Sequence, residues 1–363
     1  MARTNETILT ALEAHLRGRY ANAEYPALSD QLSRFAAERP FAAAMILDCT
    51  PLFTNTLVKF LPLLAGGARL SVGVSERVPY DPAVLAFVES LGVECLRDGA
   101  RPTDRFDVIL DCDGTRTEFS PRGGVAELTR SGAYRYASAP GPVVMVDDSR
   151  VKAIETSLGT GEGYLRGMRS LGFEDWQGRR VLLFGYGKVG RGVAYHCARA
   201  GAAVTVVDRA DVAVDPRSVV AQIGFEDLAA VRSAVRNADH LITATGVRGA
   251  MRRFALSAED LAAVVVSAIG IEDEWAGAVV PPRLVNGGQA VNFRLEEPTL
   301  LRYIDPTMAL SNECARDLVE GRLSGGGLMP PLKESQTRVL APVMAAGLLT
   351  NEIGAMFGAD ELT

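Results

Sequence analysis

Histidine is almost missing from this chain: three in 363 residues, at His15, His196 and His240. Chemistry that needs paired imidazoles has few places to reside, since His15 falls in an expected helix, His196 in another and His240 at the start of an expected strand. Cysteine is sparse as well. Cys49, Cys95, Cys112, Cys197 and Cys314 are scattered and odd in number, without a C-x-x-C pair. That excludes a zinc knuckle or a disulfide scaffold and fits free thiols in reducing surroundings, with no metal expected. Long apolar runs are absent too: the densest, residues 262–271, is far shorter than the ~20 residues of a membrane span. The first twenty residues hold no apolar segment of a secretory signal, so a cytoplasmic protein without a membrane partner is expected. Nor is there a cationic excess. Lys and Arg number 38 against 44 Asp and Glu, a net charge of −6, so no cationic stripe is expected to release counterions from a nucleic acid.

What remains is a globular composition, 48% hydrophobic with 36 glycines, long enough for two domains. β-Branched runs alternate with helical stretches, the pattern of a mostly parallel sheet with crossover helices. One series of runs lies at 44–48, 68–73, 108–112 and 143–147. A second lies at 180–185, 203–208, 240–245 and 264–269, with a shorter run at 283–286. Helices are expected at 8–20, 28–37, 154–171, 312–321 and 336–357. The fold class is therefore two-domain α/β: a Rossmann NAD-binding domain at 178–292 and a second α/β substrate domain at 1–155. A connecting helix or hinge at 156–177 lies between them, and residues 293–363 return with docking or oligomerisation helices.

Gly185-Tyr-Gly-Lys-Val-Gly190 follows an expected strand and opens an expected helix, the context in which G-x-G-x-x-G signifies dinucleotide binding. Gly185 permits the tight turn, Gly187 lets the backbone approach a pyrophosphate, and Gly190 lets helix and strand pack closely. Lys188 and Val189 complete the loop, whose helix N-terminus favours the phosphate charge. Asp208 closes the next strand, where a carboxylate receives ribose hydroxyls and disfavours a 2′-phosphate. NAD is thus preferred over NADP, a preference that Arg209 moderates. Thr243, Ala244, Thr245 and Gly246, and likewise Ala268, Ile269 and Gly270, end later strands of the same sheet, where such folds place ligands.

From about Asp147 onward the order of motifs resembles the S-adenosylhomocysteine hydrolase family. The matching pieces are Val146-Asp-Asp-Ser-Arg-Val-Lys152, the glycine loop, Thr243-Ala-Thr-Gly246, Leu284-Val-Asn-Gly-Gly288 and Asp305-Pro-Thr-Met-Ala-Leu-Ser-Asn312, and more faintly Leu47–Thr50 and Ile109–Gly114. The resemblance implies a bound NAD that oxidises a ribose hydroxyl and is regenerated after elimination and water addition. It also implies Lys152 at the oxidation step, Asn286 and Thr129 toward the cofactor, a small-molecule substrate, an interdomain cleft for the nicotinamide, and a homo-oligomer, dimer or tetramer.

The family's histidines are not kept. Asp48 stands in place of one, Ile271 of another and Asp305 of a third, while Thr156 and Ser157 replace an Asp and an Asn. Proton transfer would then fall to Lys152 or to carboxylates, of which Asp48, Asp113, Asp148 and Asp305 are the candidates. The exchanges point to a more negative pocket and hence an amine-bearing or nucleoside-like substrate other than S-adenosylhomocysteine. Authentic S-adenosylhomocysteine hydrolysis, a conventional dehydrogenase and a non-catalytic NAD-binding regulator are the alternatives.

Overall fold

The computed structural model describes residues 4–100, 106–270 and 272–358. The chain divides into two compact units, Met1–Ile154 with Leu301–Thr363, and Glu155–Leu300. Residues expected as a hinge, 156–177, thus lie in the second unit, and the return segment enters the first unit at Leu301. Among the described residues no helix is long and apolar enough to cross a membrane.

The first unit is built on a seven-stranded parallel sheet. Its strands are β1 (Met45–Asp48), β2 (Arg69–Gly73), β3 (Glu94–Leu96), β4 (Val108–Asp111), β5 (Gly124–Glu127), β6 (Pro142–Met145) and β12 (Gly327–Met329), in the order β12-β6-β5-β4-β1-β2-β3. The four central strands are buried on both faces and apolar but for Asp48, Asp111 and Glu127 at their ends, as expected of a sheet covered by crossover helices. Its helices are α1 (Asn5–Leu16), α2 (Pro26–Glu38), α3 (Phe60–Ala65), α4 (Pro82–Ser90), α5 (Arg130–Arg135), α6 (Arg150–Ala153), α10 (Leu301–Val319), α11 (Lys333–Ala346) and α12 (Thr350–Phe357).

Helix starts follow local chemistry. Asp81 caps α4 ahead of Pro82, Thr129 caps α5, and the Ser149 hydroxyl accepts the amide of Lys152 at the start of α6. The tail differs from the sequence expectation in two ways. Helix α10 begins eleven residues before the expected 312 and carries Pro306 inside it. The single helix expected at 336–357 is two, because Gly347 adopts φ 75° and ends α11. Helix α11 packs on α2 and α10 of its own unit.

The second unit carries a five-stranded parallel sheet of β7 (Arg180–Phe184), β8 (Ala203–Asp208), β9 (Ala221–Gly224), β10 (His240–Thr243) and β11 (Val265–Ala268). Their order is β11-β10-β7-β8-β9, flanked by α7 (Thr160–Ser170), α8 (Lys188–Arg199) and α9 (Leu228–Asn237). Two apolar clusters form its core, one around Leu183, Val204 and Ile242, the other around Leu182, Leu241 and Val266. Glycines bring α7 and α8 into backbone contact: a methyl group at Gly161 would collide with the Gly192 carbonyl, and one at Gly192 with that of Ser157. Among the described residues the run expected at 283–286 makes one bridge, Val266 to Leu284, and no strand. Two prolines precede it, and Asn286 and Gly287 turn left-handed at φ 52° and 60°.

Candidate functional site

The glycine loop of the second unit is shaped by close backbone approach. Gly185 sits at φ 94°, and a methyl group there would lie 2.5 Å from the Ala244 carbonyl oxygen. A methyl at Gly190 would collide with the Gly185 carbonyl, whereas one at Gly187 meets nothing within 4 Å. Gly187 is also the N-cap of α8, and no side chain caps that end. Such a helix N-terminus suits the oxygens of an anionic ligand. Tyr186 braces the loop: its amide donates to Asp208 Oδ2 at 2.6 Å, and its buried hydroxyl accepts the Asp215 amide at 3.1 Å. Asp208 Oδ1 accepts the Arg209 amide at 2.7 Å. Arg209 itself is two-thirds exposed and 3.6 Å from Asp211. Lys188 is exposed and Val189 half-buried. An open cradle on a helix N-terminus, with a fixed carboxylate at the next strand's end, fits a dinucleotide.

Thr243 and Ala268 end β10 and β11, and the Ile269 amide donates to the Thr243 carbonyl at 3.1 Å. Thr245 and Gly246, the latter at φ 66°, both donate to Glu274 Oε1, each at 2.6 Å. Gly270 lies beside that carboxylate. Sequence reasoning misses Glu274, since in Glu272-Asp273-Glu274 it looks like one of three solvated acids. Asn286 Nδ2 donates to the carbonyls of Gln289 and Ala290, and its Oδ1 accepts from Arg294. Thr129 belongs to the first unit. Ile271 lies outside the described residues.

In the first unit the predicted carboxylates do not gather into one unpaired acidic group, which corrects the expectation of a more negative pocket. Asp48 is buried at the end of β1 and pairs with Lys59 Nζ at 2.6 Å, itself 0% exposed. The Thr50 amide and hydroxyl serve its other oxygen. Burial pushes the Lys59 ammonium toward neutrality and Asp48 pulls it back. Asp113, in a left-handed turn at φ 58°, lies 3.8 Å from Arg77 and 3.6 Å from Arg135. Asp148 pairs with Arg130 near the surface at 3.0 Å.

Asp305 is no free acid either. It accepts the amides of Ala27 and Leu28, both at 2.9 Å, and thereby caps α2, whose own N-cap, Tyr25, makes no side-chain cap. Each candidate aspartate thus has its own cation or helix amides, and the basis for preferring an amine is removed.

Asp111 and Glu127 come together, a pairing not expected from sequence, although Glu127 loosely matches a Glu of the resembled family. They are register partners on β4 and β5, both 0% exposed. Asp111 accepts from Tyr136 and Thr115, while Glu127 accepts from Thr129 and from the amides of Asp113 and Gly114. Burial, with the Asp111 charge beside it, pushes the Glu127 carboxyl up to about 7. Lys152, 6% exposed, is close enough to Cys112 to pull down a thiol that burial and Glu127 push up. Among the described residues no group of three or more His, Cys, Asp or Glu is arranged to hold a metal ion.

These carboxyls set a pH dependence. Burial also raises Asp305 to about 7. Both groups bind protons more tightly folded than unfolded, so the stability they contribute is full below about pH 4 and is lost as pH rises through 7. His240, buried and lowered to about 4, opposes this with one proton against two, and only below about pH 6.5. Thermal melts are therefore expected at a higher temperature at pH 6 than at pH 8; the reverse order would contradict the burial of both carboxyls.

Residues 173–272 match a protein-family model described as NAD(P)-binding. The second unit is an NAD-binding Rossmann domain. Among curated proteins, the chain is 25% identical over 280 residues to an adenosylhomocysteinase of Thermoplasma acidophilum, covering 67% of this chain and 66% of that protein. It is 30% identical over 265 residues to an S-inosyl-L-homocysteine hydrolase of Methanopyrus kandleri, covering 64% and 61%. The corresponding enzyme of Methanothermobacter thermautotrophicus is 29% identical over 257 residues, covering 63% and 60%. The chain thus spans about three fifths to two thirds of the length of these relatives. Among solved structures it is similar to a dipicolinate synthase component from Bacillus halodurans, with a TM-score of 0.48 and 15% identity over 77% of this chain and 99% of that one.

Proposed function

We propose that the chain is an NAD-dependent enzyme that oxidises a secondary hydroxyl of a nucleoside-like small molecule, and that S-adenosylhomocysteine is not its substrate. The dinucleotide, when bound, supplies the hydride acceptor. Lys152 is the acid/base partner that takes up the hydroxyl proton and gives it back, and Ser149 positions its backbone by accepting its amide at 3.1 Å. The observation that carries the reading is this lysine, buried on the motif that resembles that of the S-adenosylhomocysteine hydrolase family, in a chain that also carries an NAD-binding unit. The altered substrate is supported by Asp48 and Asp305. Both stand where the resembled family has histidines, and both are committed to partners inside the first unit.

The test is Lys152→Ala. NAD affinity is expected to stay within about twofold of wild type. Reduction of bound NAD on adding nucleosides or their homocysteine thioethers, followed by absorbance, is expected to fall by about 10²–10⁴-fold. Release of adenosine and free thiol from S-adenosylhomocysteine at ordinary enzymatic rates would overturn the altered-substrate reading. A regulator would instead bind NAD and show no reduction in either protein.

A further inference from the structure

Glu274 is a carboxylate of the second unit that local contacts explain only in part. It is 1% exposed, and a buried carboxylate requires donors on both oxygens. Oε1 has two, the Thr245 hydroxyl and the Gly246 amide. Oε2 is buried and has no hydrogen-bond partner among the described residues. Half a carboxylate left unsatisfied is costly, so a ligand's donor would complete the arrangement.

Its position indicates which ligand. In the order β11-β10-β7-β8-β9 the glycine loop follows the middle strand, and Asp208 ends β8 on one side of it. With the pyrophosphate on α8 and the adenosine ribose toward Asp208, the other half of a dinucleotide extends over the ends of β10 and β11. Glu274 is at that edge. Thr245 and Gly246 follow β10, Gly270 follows β11, and a methyl group at Gly270 would come 3.5 Å from Oε1. Asn286, the candidate from sequence, spends its amide on its own loop.

We infer that Glu274 is a specificity-determining residue whose Oε2 accepts an N–H of the nicotinamide carboxamide. The inference rests on the reading of this unit as NAD-binding and names one of its contacts. The group selected is a neutral amide donor: a methyl ketone in its place leaves Oε2 unpaired, and a carboxylate is repelled.

Isothermal titration of the full chain with NAD⁺, 3-acetylpyridine adenine dinucleotide and nicotinic acid adenine dinucleotide tests this in wild type, Glu274→Gln and Glu274→Ala. Wild type is expected to prefer NAD⁺ over the acetylpyridine analogue by about tenfold or more, and over the acid by a larger factor. E274A is expected to lose that discrimination, whatever it does to overall affinity; a merely structural role in bracing the Thr245–Gly246 turn would weaken all three ligands alike. E274Q, which keeps an acceptor for the turn and gains an amide donor, is expected to shift preference toward the acid, and it carries the test should E274A not fold. Equal binding of NAD⁺ and the acetylpyridine analogue by wild type, or an unchanged ratio in the variants, overturns the inference while leaving NAD binding intact. Binding of none of the three overturns the NAD-binding reading itself.

Discussion

Replacing Lys59 by methionine is expected to cost about 3–5 kcal/mol of folding stability, because it strands the Asp48 carboxylate in the interior without its counter-charge. The pair is 2.6 Å apart with both side chains essentially inaccessible to solvent, so water cannot replace the lost ammonium. The partner change matters as much. Asn at position 48 retains an oxygen for the Thr50 amide and hydroxyl, so the double variant Lys59→Met with Asp48→Asn is expected to recover most of the loss, since removing both members of a buried pair is often close to neutral. Urea unfolding at pH 7 measures both. A single variant that unfolds at the wild-type midpoint would show that the pair is not buried as described, and would reopen the case for a negatively charged substrate site.

The second large effect separates two glycines of one loop. Gly187→Ala is expected to fold with wild-type stability, since its backbone at φ −76° and ψ −162° suits any residue and its methyl meets nothing. The same methyl projects where the pyrophosphate approaches. Crowding of that kind costs roughly 1–3 kcal/mol, or about ten- to a hundredfold in NAD affinity. Gly190→Ala is expected to fail differently. Its methyl collides with the Gly185 carbonyl, a backbone atom that cannot move aside, so both stability and binding fall. Melting temperatures and NAD dissociation constants, measured on both variants, decide the matter: a G187A protein that binds NAD like wild type would mean that the loop does not cradle phosphate.

The parts legible in sequence are those set by local sterics. The glycine loop, Asp208 and the strand runs of the second unit depend on residues close in the chain, and strand period and glycine freedom are local properties. What is not legible depends on register or long-range pairing. Lys59 sits in an apolar stretch, Leu57-Val-Lys-Phe-Leu, where a lysine reads as a solvated tip. Only the folded chain brings it to Asp48. Glu127 meets Asp111 because β4 and β5 are neighbours, and β5 is a four-residue strand opened by glycine, too short to announce itself. Asp305 reads as an acid of the site because it stands where the resembled family has a histidine. Its partners on α2 are 277 and 278 residues away. Glu274 is hidden the same way, its donors lying 28 and 29 residues back along the chain.

The central claim is that the second unit grips a nicotinamide dinucleotide on the loop from Gly185 to Gly190. Calorimetric titration of NAD⁺ into wild-type protein, freed of any dinucleotide it carries by mild denaturation and refolding, tests it most directly. One-to-one binding with a dissociation constant in the micromolar range or tighter, about −8 kcal/mol or below, and weaker binding of NADP⁺, is the predicted result. No measurable heat from either dinucleotide, with none released from the protein as purified, would contradict the account.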